Sequence, residues 1–115
     1  MTDREEATRK IETEVTRDDP EVRERFVSEF GKEIGDFVAV MANAQLRWFA
    51  LDQRIWPDER LGHVSAFVYS ALALHILSMK LLLSGHIVAS GNLLRQVIES
   101  IAMALLCSGR ELGVL

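Results

Sequence analysis

The stretch DERLGHVSAFVYSALALHILSMKLLLS, residues 58–84, decides the fold. Asp58 can cap a helix, and acidic residues suit the positive end of the helix dipole. Beyond Arg60 the stretch carries one formal charge, on Lys80, and Gly85 is placed to end the helix. Because the stretch is apolar on every side, we expect a central, buried helix over about residues 58–84.

The same stretch raises a membrane alternative. Residues 61–79 carry no formal charge and are nearly long enough to span a bilayer. The next helix, however, carries Arg95 and Glu99 near its middle, where each would be expensive in lipid. Several polar residues also interrupt the apolar stretch: His63, Ser65, Ser70, His75 and Ser78. We therefore expect a core helix and no membrane contact, with a membrane-associated helical hairpin as an alternative.

A second apolar helix is predicted over residues 86–108, with Gly109 as its natural end. Its wide apolar face combines Leu93, Val97, Ile101 and Leu105 with Leu94, Ile98, Ala102 and Leu106. Four polar residues follow one another at steps of three, one and three, which places them along one side of this helix. We call them the polar stripe: Asn92, Arg95, Gln96 and Glu99.

The polar stripe has three interpretations. The first is a solvent-facing side with an Arg95–Glu99 ion pair worth a few tenths of a kcal/mol. The second is a polar network at a subunit interface, and the third is a ligand or catalytic site with His75 and His86. The order Arg before Glu is the less favourable one for helix stability, which favours an interface. Small residues that permit close helix packing precede the stripe: Gly85, Ala89, Ser90 and Gly91. We expect Arg95→Ala to disturb folding or assembly more than the loss of any surface charge.

The first half of the chain forms surface. Residues 1–60 hold 25 of the 30 charged side chains. Residues 1–18 are predicted to form a charged helix that docks weakly, or a frayed arm. Residues 19–115 are predicted to form a single helical domain. The closing residues RELGVL resemble the beginning of another element, so we expect a fragment of a longer protein.

A third long helix is predicted to follow Asp19, which can cap it, and Pro20, which suits a first helical position. Apolar residues then recur at helical spacing to Ile55, and the Trp56–Pro57 pair ends the pattern. We expect one long helix, with a kink or a split into two at the glycines Gly31 and Gly35. The aromatic residues near its end are predicted to pack in the core or at an interface: Trp48, Phe49 and Trp56.

Composition limits the function. The chain has 115 residues, 49% of them hydrophobic, which is enough for one domain with a core. A net charge of -4 offers no broad basic surface, so no nucleic-acid partner is expected. The single cysteine, Cys107, is predicted to be a buried apolar residue, and the lack of a disulfide framework suits the cytoplasm. No metal-ligand spacing, phosphate loop or nucleophile elbow occurs, so neither a metal nor a cofactor is expected.

Residues 72–109 resemble uncharacterised bacterial all-helical proteins. In these proteins one helix ends at a glycine, and the next helix carries Leu-Arg with a Glu four residues after the Arg. The matching residues here are Gly85, Leu94, Arg95 and Glu99. Such proteins are distantly similar to the HEPN superfamily. That resemblance implies a ribonuclease site made of an Arg and a His four to six residues later. This chain departs from the pattern, because no histidine follows Arg95. Such a site would need a His from beyond residue 115.

The sequence thus predicts an all-α bundle of about three long helices with an N-terminal helix or arm. Its apolar residues exceed what so small a bundle can hide, which predicts a homo-oligomer through helices 58–108. The leading function is a self-associating or partner-binding module without catalysis. The alternative is a HEPN-like ribonuclease, toxin or phage-defence effector that acts on RNA through Arg95 and Glu99, with His75 and His86 as further candidates.

Overall fold

A computed structural model describes residues 2–109, of which 86% are helical. No strand occurs in this range, so the predicted all-α class is confirmed. The helices are α1 (Asp3–Thr16), α2 (Pro20–Glu29), α3 (Gly31–Asp52), α4 (Glu59–Leu83) and α5 (Ile87–Ser108). The closing residues 110–115, which suggested a fragment, lie outside the described range.

The helices α4 and α5 form a hairpin that contains most of the core. On α4 the buried residues Val64, Ala71 and Ser78 recur every seven positions, or about two helical turns. On α5 the matching line alternates three- and four-residue steps through Ser90, Leu93, Val97, Ser100, Ala104 and Cys107. We call these two lines the hairpin seam. Many of its side chains are small, which lets the two helices approach closely, and Cys107 is buried as predicted.

Two serines join the helices near the turn. The Ser78 hydroxyl donates to the Ser90 carbonyl at 2.9 Å, and the Ser90 hydroxyl donates to the Ser78 carbonyl at 2.8 Å. Both side chains are buried, so each hydroxyl needs such a partner. This reciprocal pair of hydrogen bonds fixes the register of α4 against α5, with Ser78 beside Ser90.

The turn between them depends on Gly85, whose φ is +86°. The Gly85 N–H donates to the Leu82 carbonyl at 3.0 Å and the His86 N–H to the Leu81 carbonyl at 2.9 Å. This pairing is the Schellman motif, which favours glycine at the left-handed position. Space is also limited, since a Cβ at Gly85 would lie 3.3 Å from Val22 Cγ1.

The helix α3 lies on α4 beside α5. The Trp48 indole N–H donates to the carbonyl and hydroxyl oxygens of Ser65, both at 3.1 Å. The Ser65 hydroxyl donates to Asp52 Oδ1 at 2.9 Å. Two turns or more away, the ring of Phe37 meets that of His75 edge to face at 5.0 Å. These contacts attach α3 along much of its length.

The expected continuous helix after Pro20 is wrong, and the alternative of two helices holds. Phe30, with φ −121° and ψ 28°, separates α2 from α3 immediately before Gly31, whereas Gly35 causes no break. The change of direction keeps its hydrogen bonds, because the Phe30 N–H still donates to the Phe26 carbonyl at 2.8 Å. Asp19 occupies the cap position of α2, but its side chain makes no capping hydrogen bond and instead pairs with Arg17 at 3.2 Å.

The expectation of a fully buried α4 is also wrong. The helix is central, since α2, α3 and α5 all pack on it, yet only Val64, Ser65, Ala71 and Ser78 are buried. Three helices on part of its circumference leave the remaining sides uncovered. Among the aromatic residues expected to pack, only Trp48 is half-buried, while Phe49 and Trp56 are exposed.

The described chain is much more extended than a compact domain. Its radius of gyration is 19.1 Å, against about 13 Å for a compact chain of this length. The helix α1 has no buried residue, so none of its side chains joins the core. A capping box at Thr2 and Glu5 begins α1, so this helix is held by local hydrogen bonds.

We expect Ser90→Leu to lower the free energy of unfolding by about 2–4 kcal/mol, because it overfills the hairpin seam and removes the bonds to Ser78. Urea denaturation would measure the change. The control is Ala89→Leu, an exposed neighbour on the same helix, which we expect to shift stability by no more than about 0.5 kcal/mol. Equal losses in the two variants would contradict the assigned seam.

We expect Gly85→Ala and Gly62→Ala to change stability in opposite directions. The first forces an alanine into the left-handed conformation and lowers the free energy of unfolding by about 1–2 kcal/mol. The second lies inside α4 with no atom within 4 Å of the new Cβ, and raises it by about 0.5–1 kcal/mol. Thermal unfolding of both variants checks the signs, and a stabilised Gly85→Ala would contradict the turn.

Candidate functional site

An apolar groove lies between α3 and α5, with α4 as its floor. It encloses about 460 Å³. We call it the α3–α5 groove, and its lining residues are Met41, Ala44, Val64, Val68, Ala71, Leu72, His75, Val97, Ile101, Ala104, Leu105 and Ser108. The lining contains no carboxylate, no Lys and no Arg. Such a surface is suited to binding apolar side chains.

The groove exists because α3 and α5 both pack on α4 at different sides of it. One side of α3 faces α4 and carries Phe37, Met41 and Trp48, of which Met41 is buried. On the other side Val97 is only 2% exposed in the hairpin seam. The two flanking helices therefore stand apart over the groove, and Ile101 and Leu105 remain exposed at its edge.

The helix α4 is long and apolar enough to cross a membrane. In an apolar stretch of 18 residues on this helix, 11% of the residues are buried in the fold. Length and composition alone do not distinguish a membrane span from a helix that another protein chain covers. They do show that α4 has apolar surface beyond what α2, α3 and α5 cover.

The polar stripe faces solvent in the single chain. Arg95 precedes the buried Val97 by two residues, which turns it to the side of α5 away from α4. Its Nε donates to Glu99 Oε1 at 3.2 Å, and the two side chains are 78% and 61% exposed. Asn92 and Gln96 are exposed on the same side. An interface that covers this side in an assembly stays a prediction.

The two candidate histidines lie apart from Arg95. His75 points into the α3–α5 groove beside Phe37. His86 is exposed at the start of α5, nine residues before Arg95, or about 13 Å along the helix axis. Within residues 2–109 neither imidazole hydrogen-bonds to Arg95 or Glu99. This part of the chain therefore assembles no acid–base constellation around Arg95.

Metal binding has no support in the same part of the chain. Residues 2–109 contain no group of three His, Cys, Asp or Glu side chains placed to hold an ion. Every buried side-chain N or O atom described has a hydrogen-bond partner. The α3–α5 groove is therefore the candidate site, and its chemistry is apolar contact.

Comparisons of the chain with protein-family models, curated protein sequences and solved structures find no match. The resemblance to the HEPN superfamily and the ribonuclease activity it implies stay predictions.

Sequence reasoning found one wall of the groove and missed the other. The apolar face of α5 was recognised, including Val97, Ile101 and Leu105. The contribution of Met41 and Ala44 was not, although Phe37, Met41 and Trp48 recur at helical steps of four and seven. That spacing shows which side of α3 packs, but it does not show that α3 and α5 stand apart.

We expect Arg95→Ala to weaken assembly but not the folding of the single chain. The control is Arg25→Ala, because Arg25 and Glu29 form the same i,i+4 contact at 3.3 Å with side chains that are 82% and 55% exposed. Both variants should lower the free energy of unfolding of the dissociated chain by no more than about 0.5 kcal/mol, in urea titrations at a protein concentration where the wild type is monomeric. Light scattering should show a smaller solution mass for Arg95→Ala alone. Identical masses would make the polar stripe a solvent-facing side only.

Proposed function

We propose that this chain is a self-associating helical module, and that a second copy covers the α3–α5 groove and the exposed apolar sides of α4 and α5. The observation that carries the proposal is the uncovered apolar surface. Exposed Ile, Leu and Val residues continue along α5 from Ile87 to Leu106. Many apolar residues exposed along one helix are typical of an interaction site.

The accessible surface area of the chain supports a stable interface with a partner. The accessible surface is 8849 Å², about 2,500 Å² more than a folded monomer of 13.0 kDa exposes. A standard interface buries about 800 Å² on each partner. The extended α1, which buries no residue, contributes to this excess, and so do the exposed apolar residues of α3, α4 and α5.

Charge supports a protein partner in water over a lipid environment. The Arg95–Glu99 pair lies halfway along α5, on the helix that forms one wall of the groove. Inserting the hairpin in a bilayer would place both charges at membrane depth. Between two protein copies they can remain in water at the edge of the contact. The module we propose is cytoplasmic, and its action depends on assembly and requires no cofactor.

We expect the wild-type protein to have a solution mass of at least twice 13.0 kDa by light scattering without detergent. Leu105→Lys should reduce that mass, because it places an ammonium group in the groove. The control is Leu46→Lys on α3, since Leu46 and Leu105 are 71% and 66% exposed and Leu46 does not line the groove. That variant should keep the wild-type mass.

A monomeric wild type at all accessible concentrations would overturn the proposal. Recovery of that monomer on lipid vesicles in a flotation assay would then favour the membrane-associated hairpin. Loss of assembly in both lysine variants would place the contact elsewhere than in the groove. Circular dichroism confirms that each variant keeps its helices.

A further inference from the structure

The helix α5 carries a second apolar line besides the one in the hairpin seam. It runs through Ile87, Gly91, Leu94, Ile98, Ile101 and Leu105 in alternating steps of four and three residues. We call it the outer seam. All six residues are exposed. Alternating steps of three and four over four turns or more are the pattern by which two helices pack along their length.

The two lines on α5 differ by one residue at each level. Val97 belongs to the hairpin seam and Ile98 to the outer seam; the same holds for Ala104 and Leu105. One residue corresponds to about 100° around a helix. A helix with two apolar lines about 100° apart has two helical neighbours, as in a four-helix bundle. The hairpin seam has its neighbour in α4, and the outer seam faces solvent in the single chain.

We infer that the outer seam is the contact between copies: α5 of one chain packs lengthwise on α5 of a second chain across a twofold axis. This inference rests on the proposed self-association and names the helix that performs it. A twofold contact uses the same patch on both copies, so that patch must be complementary to itself. A regular line of knobs and holes on one helix meets this requirement.

The position of the outer seam also explains how the groove is covered. Ile101 and Leu105 belong to the outer seam and also line the α3–α5 groove. A helix on the outer seam therefore lies over the open side of the groove. One added helix on the outer seam would cover both exposed surfaces.

The two charged residues of the polar stripe, Arg95 and Glu99, border this contact. Arg95 follows Leu94 by one residue, so its guanidinium lies beside the outer seam and within reach of a second copy. Gln96 lies two residues from both Leu94 and Ile98, on the opposite side of the helix. The charges thus mark one edge of the contact, where water still reaches them.

Cysteine cross-linking of the full chain tests the inference. In a Cys107→Ala background, single variants Leu94→Cys, Ile98→Cys and Ile101→Cys are treated with a short bis-maleimide linker at low protein concentration. The control is Gln96→Cys, an exposed position on the same helix turn. We expect covalent dimers at one or more outer-seam positions in several-fold higher yield than at Gln96→Cys. The yield pattern reports orientation, since parallel helices join at all three positions and antiparallel helices mainly near the axis.

Light scattering of the same background separates two failures. An assembled species without cross-linking above the Gln96→Cys control would overturn the outer-seam contact and leave self-association standing. A monomeric species would overturn both. Equal yields at all four positions would show random collision and also overturn the contact.

Discussion

The close contact between α4 and α5 is the constraint on which the rest of the structure depends. The Ser78 and Ser90 hydroxyls donate to each other's carbonyl groups across it, so the two helices are held at one register. Small side chains at Ala71 and Ala104 keep the helices close. Close packing leaves little volume for large side chains between them. Apart from Val64, Leu93 and Val97, many of the large apolar side chains of both helices therefore point elsewhere.

That consequence accounts for the uncovered surface. The helix α3 covers one further side of α4 through Trp48 and Phe37, and the short α2 adds a hydrogen bond from Arg23 to Ser84 at 3.2 Å. Neither helix reaches across to close the space beside Val97. The chain has no further described helix to place there, because α1 buries none of its residues. The fold within residues 2–109 therefore leaves an apolar groove that its own elements do not fill.

Local sequence signals predicted the helices well, because capping and termination act over a few residues. Asp58 caps α4 by accepting from the Arg60 and Leu61 N–H groups, and Gly85 ends it. Burial was predicted poorly, because periodicity tells which side of a helix is apolar and not what covers it. The glycines Gly31 and Gly35 indicated a kink or a split after Pro20, but not which of the two would occur; the structure has the split, at Phe30.

For the polar stripe, too, the sequence shows which side of the helix is polar but not what lies against that side. Its spacing placed Arg95, Gln96 and Glu99 on one side of α5, and the structure turns that side away from α4. An exposed Arg–Glu pair adds little to the stability of one chain, so its energetic role depends on what lies beside it. The exposed outer seam, from Ile87 to Leu105, is an uncovered apolar surface next to Arg95. Gln96 lies on the opposite side of α5 from this seam. In the proposed pairing of α5 with its copy, the two charges limit the width of the apolar contact. They also favour partners with complementary charges at that edge, and no contact within one chain would reveal this role.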